Sequence, residues 1–175
     1  MHAVRESGQT SHELVYLLGF TFTFEEPAIR AAQIGKDLRV PGAMAFFSWP
    51  SKGNIHQYAA DEASIDASER AITEFLLDFA AHCKADKVHI IAHSMGNRGL
   101  LRAMQRIASN AETRSQAKFG QIFLAAPDVD RELFLELADV YPRHSERTTL
   151  YASNGDKAVW LSTIVHAAPR AGYYE

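Results

Sequence analysis

The sequence predicts a doubly wound α/β domain on a mainly parallel five-stranded sheet, with strand order 2-1-3-4-5. Three observations carry that prediction. Short apolar or β-branched runs recur five times along the chain. Several are nearly continuous apolar runs, which suits strands covered on both faces. The stretches between them carry helical spacing or helix-start signals, and alternation of this kind defines the α/β class.

In order, the strand candidates are Glu13 to Leu18, Ala43 to Ser48, Lys87 to Ala92, Gln121 to Ala126 and Thr148 to Ser153. The first helix opens at Thr23-Phe24-Glu25-Glu26, a capping-box spacing in which threonine and glutamate satisfy free backbone N–H groups. The second places Ile72, Phe75, Phe79 and Cys83 on one face, with Asp66, Glu74 and Asp78 away from it. A third is expected from about Met95 to Ala108, a fourth from Arg131 to Val140 and a fifth from Asp156 to about Val165. The polar stretch Asn110 to Lys118 reads as a surface loop.

With 175 residues, 47% of them hydrophobic, the chain is expected to form one domain, residues 1–175, with a sizeable core. The net charge of -3 is spread along the chain with no basic block, so nucleic acid is not an expected partner. The lone Cys83 excludes an internal disulfide and reads as a buried thiol, compatible with a cytoplasmic setting. No run approaches the roughly 18 apolar residues of a membrane span. No histidine or cysteine cluster has metal-ligand spacing, and no glycine-rich phosphate loop follows a strand. No cofactor is expected.

In a sheet of this order, ligands bind beyond the carboxyl ends of the strands. There Ala92-His93-Ser94-Met95-Gly96 forms a small-x-Ser-x-Gly pentapeptide between the third strand and its helix. Small residues on either side of the serine permit a sharp turn that presents its hydroxyl above the sheet. The Met95 N–H at the helix start is one oxyanion donor, and Phe20, after Gly19 in the first strand-to-helix loop, supplies the second. A serine N-cap and a plain turning glycine are the simpler roles for the same residues. Two aspartates follow late strands, Asp156 as the favoured triad acid and Asp128 as the alternative. Either also suits a helix N-terminus.

The segments Gly19 to Glu26, Phe47-Ser48-Trp49-Pro50-Ser51, Ala92 to Asn97, Leu124 to Asp130 and Leu150 to Ala158 together resemble one family. It is that of the bacterial esterase/lipase-superfamily α/β hydrolases of unassigned function. The resemblance covers roughly residues 14 to 172, in order. It implies an α/β-hydrolase-like core, Ser94 as nucleophile and an acid after a late strand. Against the family pattern, Leu18 stands where a histidine usually precedes the glycine.

In this fold the general-base histidine follows one more strand after the acid. Between Asp156 and Glu175 there is no room for a helix of about 11 residues, a strand of about 5 and their loops. The expectation is therefore a core short at both ends, lacking the outer strands and the base-bearing segment. His82, His89, His144 and His166 are placed by the strand pattern away from the catalytic edge, and His93 points to the opposite face from its neighbour. His56, after the second strand, is the substitute base the pattern allows.

The leading expectation is a serine hydrolase (esterase or lipase type) acting on a small-molecule acyl ester. The second is a truncated hydrolase-fold domain serving binding or assembly, a homo-oligomer paired through the Ala43 to Phe47 edge. A flavodoxin-like nucleotide binder shares the topology and is the third.

Overall fold

A computed structural model describes residues 11–19, 25–155, 162–163 and 168–173. Five strands, β1 (His12–Leu17), β2 (Met44–Phe47), β3 (Lys87–His93), β4 (Phe119–Ala125) and β5 (Ser145–Tyr151), form one sheet in the order β2-β1-β3-β4-β5. Every adjacent pair is parallel. Seven helices are described: α1 (Glu25–Asp37), α2 (Tyr58–Ala67), α3 (Glu69–His82), α4 (Gly96–Ser109), α5 (Ala111–Gln116), α6 (Arg131–Leu137) and α7 (Val140–His144). The predicted class and strand order hold, and β2 lies at the sheet edge as expected.

Alternation along the strands divides the core. Val15, Leu17, Val88, Ile90, Ala92, Ile122 and Leu124 face one side, where they pack with Ile72 and Leu76 of α3 and Leu100, Met104 and Ile107 of α4. Tyr16 and Leu18 face the other side and meet Ala31 of α1. Burial of these apolar side chains at about 25 cal/mol per Å² is the main term that holds helices to sheet.

Three helical regions differ from the prediction. The second helix is two, α2 and α3, which meet at Ser68, where the backbone takes φ -82 and ψ -3 and the hydroxyl donates to the Ser64 carbonyl (2.8 Å). The expected loop Asn110 to Lys118 contains α5, whose first turn is capped by the Asn110 side chain accepting from the Glu112 N–H (2.8 Å). The fourth helix divides into α6 and α7 because Pro142 has no N–H for the Ala138 carbonyl and would crowd it, so a new first turn starts at Val140. Cys83 is partly buried at the end of α3, its thiol donating to the Ala80 carbonyl. The expected fifth helix from Asp156 and the Thr23 capping box lie outside the described residues.

At the opposite end of the sheet from the candidate site, His89 accepts the Gln121 N–H on Nδ1 (2.9 Å) and meets His12 Nδ1 through Nε2 (2.8 Å). With Nδ1 accepting, the proton of the neutral ring sits on Nε2. Burial, then the neighbouring His12 and Lys87, push the His89 pKa down, against a smaller opposite effect of Glu146. A histidine with a depressed pKa contributes stability that is complete above about pH 6.5 and is lost as pH falls towards the folded value, because the unfolded chain takes the proton first. The urea midpoint is therefore expected to fall below pH 6.5 more steeply in the wild type than in His89→Gln. Equal slopes would refute a role for this ring.

Candidate functional site

Strand β3 ends at His93, and the chain reverses at Ser94 with φ 50 before α4 begins at Gly96. A left-handed backbone at a non-glycine residue is strained by about 1–3 kcal/mol and persists only where surrounding bonds enforce it. Those bonds are present. The Ser94 N–H donates to the Ala125 carbonyl (2.9 Å), and the Ser94 carbonyl accepts from the Asn97 N–H (3.1 Å) and the Asp128 N–H (3.2 Å). Asn97, 1% exposed, adds its amide nitrogen, which donates to the carbonyls of Ala92, Ser94 and Ala125, each at 3.1 Å.

The small residues of the pentapeptide have steric reasons. A Cβ on Gly96 would lie 2.6 Å from the Leu17 carbonyl oxygen and nearer still to that of Leu18. Only glycine lets α4 start against the end of β1. Gly19 abuts the elbow from the other side, where an added Cβ would come within 2.8 Å of Ser94 Cβ. The expected meeting of the first strand-to-helix loop with Ser94 is thus realised at Gly19, while Phe20 lies outside the described residues. The position before that glycine is fixed by Trp49, whose buried indole donates to the Leu18 carbonyl (3.0 Å).

The Met95 N–H, at the start of α4, makes no hydrogen bond among the described residues. An unbonded amide at a helix start is the kind of donor that can receive a developing negative oxygen, and Met95 itself is fully buried. A cavity of about 760 Å³ opens between α1 and the sheet, with Leu18, Gly19, Pro27, Ile91, His93 and Ala125 in its wall. Its surface is mostly apolar, with Arg30 and Glu26 at the α1 side.

The predicted acids and base are placed as follows. Asp156 lies outside the described residues, just beyond the turn in which the Gly155 N–H donates to Ser153 Oγ (3.1 Å). Asp128 sits after β4, buried, with its backbone N–H on the Ser94 carbonyl. Its carboxylate is engaged by three other side chains. Ser162 Oγ donates to Oδ1 (2.6 Å), the Tyr58 hydroxyl donates to Oδ2, and Arg170 Nε stands 3.5 Å from Oδ1. Burial first, then the charge of Asp128, push the Tyr58 pKa up, so this hydroxyl stays protonated and donates. His56 is exposed on a 3-10 turn (Ile55–Gln57), where its backbone N–H donates to Asn54 Oδ1 (2.9 Å). No hydrogen bond joins its ring to Ser94 among the described residues. His144 is buried against the Ala117 carbonyl, and His82 Nδ1 donates to the Asp78 carbonyl, both remote from the elbow as expected.

Asn97, Trp49, Tyr58, Ser162 and Arg170 were not singled out by the sequence. Trp49 and Asn97 fall within the segments that carry the family resemblance, which is the signal that marks them.

A parallel sheet in this order, with helices on both faces and a strained serine turn at the end of its central strand, is the core of an α/β hydrolase. The chain belongs to the family described as alpha/beta hydrolases of unknown function (DUF900), whose family model matches residues 2–174. Searches of curated proteins and of solved structures give no match.

Proposed function

We propose that the protein is a serine hydrolase of carboxylic esters in which Ser94 is the nucleophile. The observation that carries this reading is the strained Ser94 backbone beside an unbonded Met95 amide. Strain that four hydrogen bonds enforce at one half-buried serine is of little use to a helix cap, which adopts extended geometry at no cost.

In the proposed reaction, Ser94 Oγ bonds to the acyl carbon as its proton passes to a histidine base. The carbonyl electrons move onto oxygen, which the N–H groups of Met95 and Phe20 stabilise. Collapse expels the alcohol, which takes the proton back, and water then releases the acid by the same steps. Asp156 orients the base in this reading, since Asp128 is engaged by Tyr58, Ser162 and Arg170. His56 is the base candidate among the described residues.

A fluorophosphonate probe is expected to label the wild type at Ser94 and to leave Ser94→Ala unlabelled. Hydrolysis of 4-nitrophenyl esters of short and long acyl chains should fall at least about a thousandfold in Ser94→Ala. A folded wild type that neither reacts with the probe nor hydrolyses any ester would sink the reading. His56→Ala in the same assays decides the base, for activity that survives it excludes His56.

A further inference from the structure

Residues 169–173 run antiparallel to the loop that follows β4. The Arg131 N–H donates to the Pro169 carbonyl, Ala171 N–H to Val129 and Gly172 N–H to Pro127, each at 2.9 Å, with a β-bridge between Asp130 and Arg170. On its other side the Gly172 carbonyl accepts the Ser153 N–H (3.0 Å) from the turn after β5. The loop after β4 in turn holds the elbow, through the Asp128 N–H on the Ser94 carbonyl. One short strap therefore laces together the loops that follow β3, β4 and β5.

Its anchor is Arg170, whose side chain is 3% exposed and faces an Asp128 side chain 4% exposed. Arg170 Nε donates to Ser162 Oγ (2.9 Å), which donates onward to Asp128 Oδ1 (2.6 Å). Arg170 Nη2 lies 3.8 Å from Glu62 on α2 and makes no hydrogen bond among the described residues. A buried pair of this kind adds little net stability over apolar packing, and its best-attested value is to fix one register.

We propose that Arg170 and Asp128 are positioning residues, which hold the strap in the one register that sets the Ser94 elbow against the acid-bearing turn after β5. Asp128 acts through Arg170 and Ser162, not on the base. Placing the elbow rests on the serine-hydrolase reading, whereas the lacing of the three loops does not.

The test uses the full chain with Arg170→Gln, Arg170→Lys, Asp128→Asn and the double variant Asp128→Asn/Arg170→Gln. The double variant removes both charges, so neither is left buried alone if a single variant fails to fold. Fluorophosphonate labelling at Ser94 is measured from acidic to alkaline pH, and amide exchange is followed at Ser153 and Asp128. The single neutral variants should each slow labelling by about ten- to a hundredfold, the loss expected from a small misplacement of reacting groups. Because the pair acts as a unit, the double variant should be no slower than the worse single one. Arg170→Lys should recover part of the rate, the midpoint of the pH profile should not move, and exchange at Ser153 should quicken.

A loss near ten-thousandfold in Asp128→Asn alone, with a moved midpoint and unchanged labelling in Arg170→Gln, would overturn the proposal and make Asp128 the orienting acid. Wild-type labelling in the double variant would overturn it as well. If the wild type takes no label, the serine-hydrolase reading fails and exchange decides the lacing: protection kept at Ser153 and Asp128 in the double variant overturns it, and protection lost upholds it.

Discussion

Gly96→Ala is expected to cost about 3 kcal/mol or more, because the new methyl meets backbone on both sides of its path. The obstacles are the carbonyl oxygens of Leu17 and Leu18, held by the sheet and by the Trp49 indole, so neither moves without parting α4 from β1. Gly99→Ala, one turn further along α4, is the control. Its methyl would meet the tips of the Ile72 and Ile65 side chains at 2.6 and 2.9 Å, which can turn aside. Helix propensity gains about 1 kcal/mol from alanine at either site, so that term cancels in the comparison. Urea denaturation of the two variants measures the difference. If Gly96→Ala is no less stable than Gly99→Ala, the close approach of α4 to β1 is not a constraint on the fold.

Asn97→Asp should be more damaging than Asn97→Ala, although aspartate is the closer match in shape. The amide nitrogen serves three carbonyls at once, and Asn97 Oδ1 has no partner among the described residues. A carboxylate in its place sets negative oxygens against carbonyl oxygens in a buried site, at a cost of about 3 kcal/mol or more. Alanine merely withdraws the donor and should cost about 1–3 kcal/mol. The aspartate variant should recover at acidic pH, where a proton on its carboxyl restores one donor. Urea midpoints at two pH values test both statements, and an aspartate tolerated as well as alanine at neutral pH would mean that the three carbonyl contacts do not stabilise the fold.

The parts of the fold that were legible are those in which one local signal decides. Runs such as Ala43 to Phe47 and Ile122 to Ala126 are too apolar for a one-faced strand, and the small residues around Ser94 have one structural use at a strand-to-helix turn. Helix breaks were harder. The interruption at Ser68 is a local change of ψ with no breaking residue to announce it, and α5 is largely polar, so it carries no periodic apolar face. The polar lattice around Asp128 was out of reach for another reason. Tyr58, Glu62, Asp128, Ser162 and Arg170 are each unremarkable in sequence, and only the tertiary meeting of α2, the loop after β4 and the strap that carries Arg170 brings them together. Asp128 was accordingly read as a possible acid from its position alone.

Ala126, directly after β4, shares the left-handed backbone of Ser94, with φ 45. Both residues lie at the same rim of the sheet, one strand apart. Among the described residues Arg39, with φ 50 in the loop before β2, is the other non-glycine residue held in this way. A screen for thermostability alone would therefore favour glycine at Ser94 or Ala126, and the protein it selected would be sturdier and, at Ser94, without its hydroxyl. On the serine-hydrolase reading, resistance to heat and capacity for chemistry pull this sequence in opposite directions at Ser94.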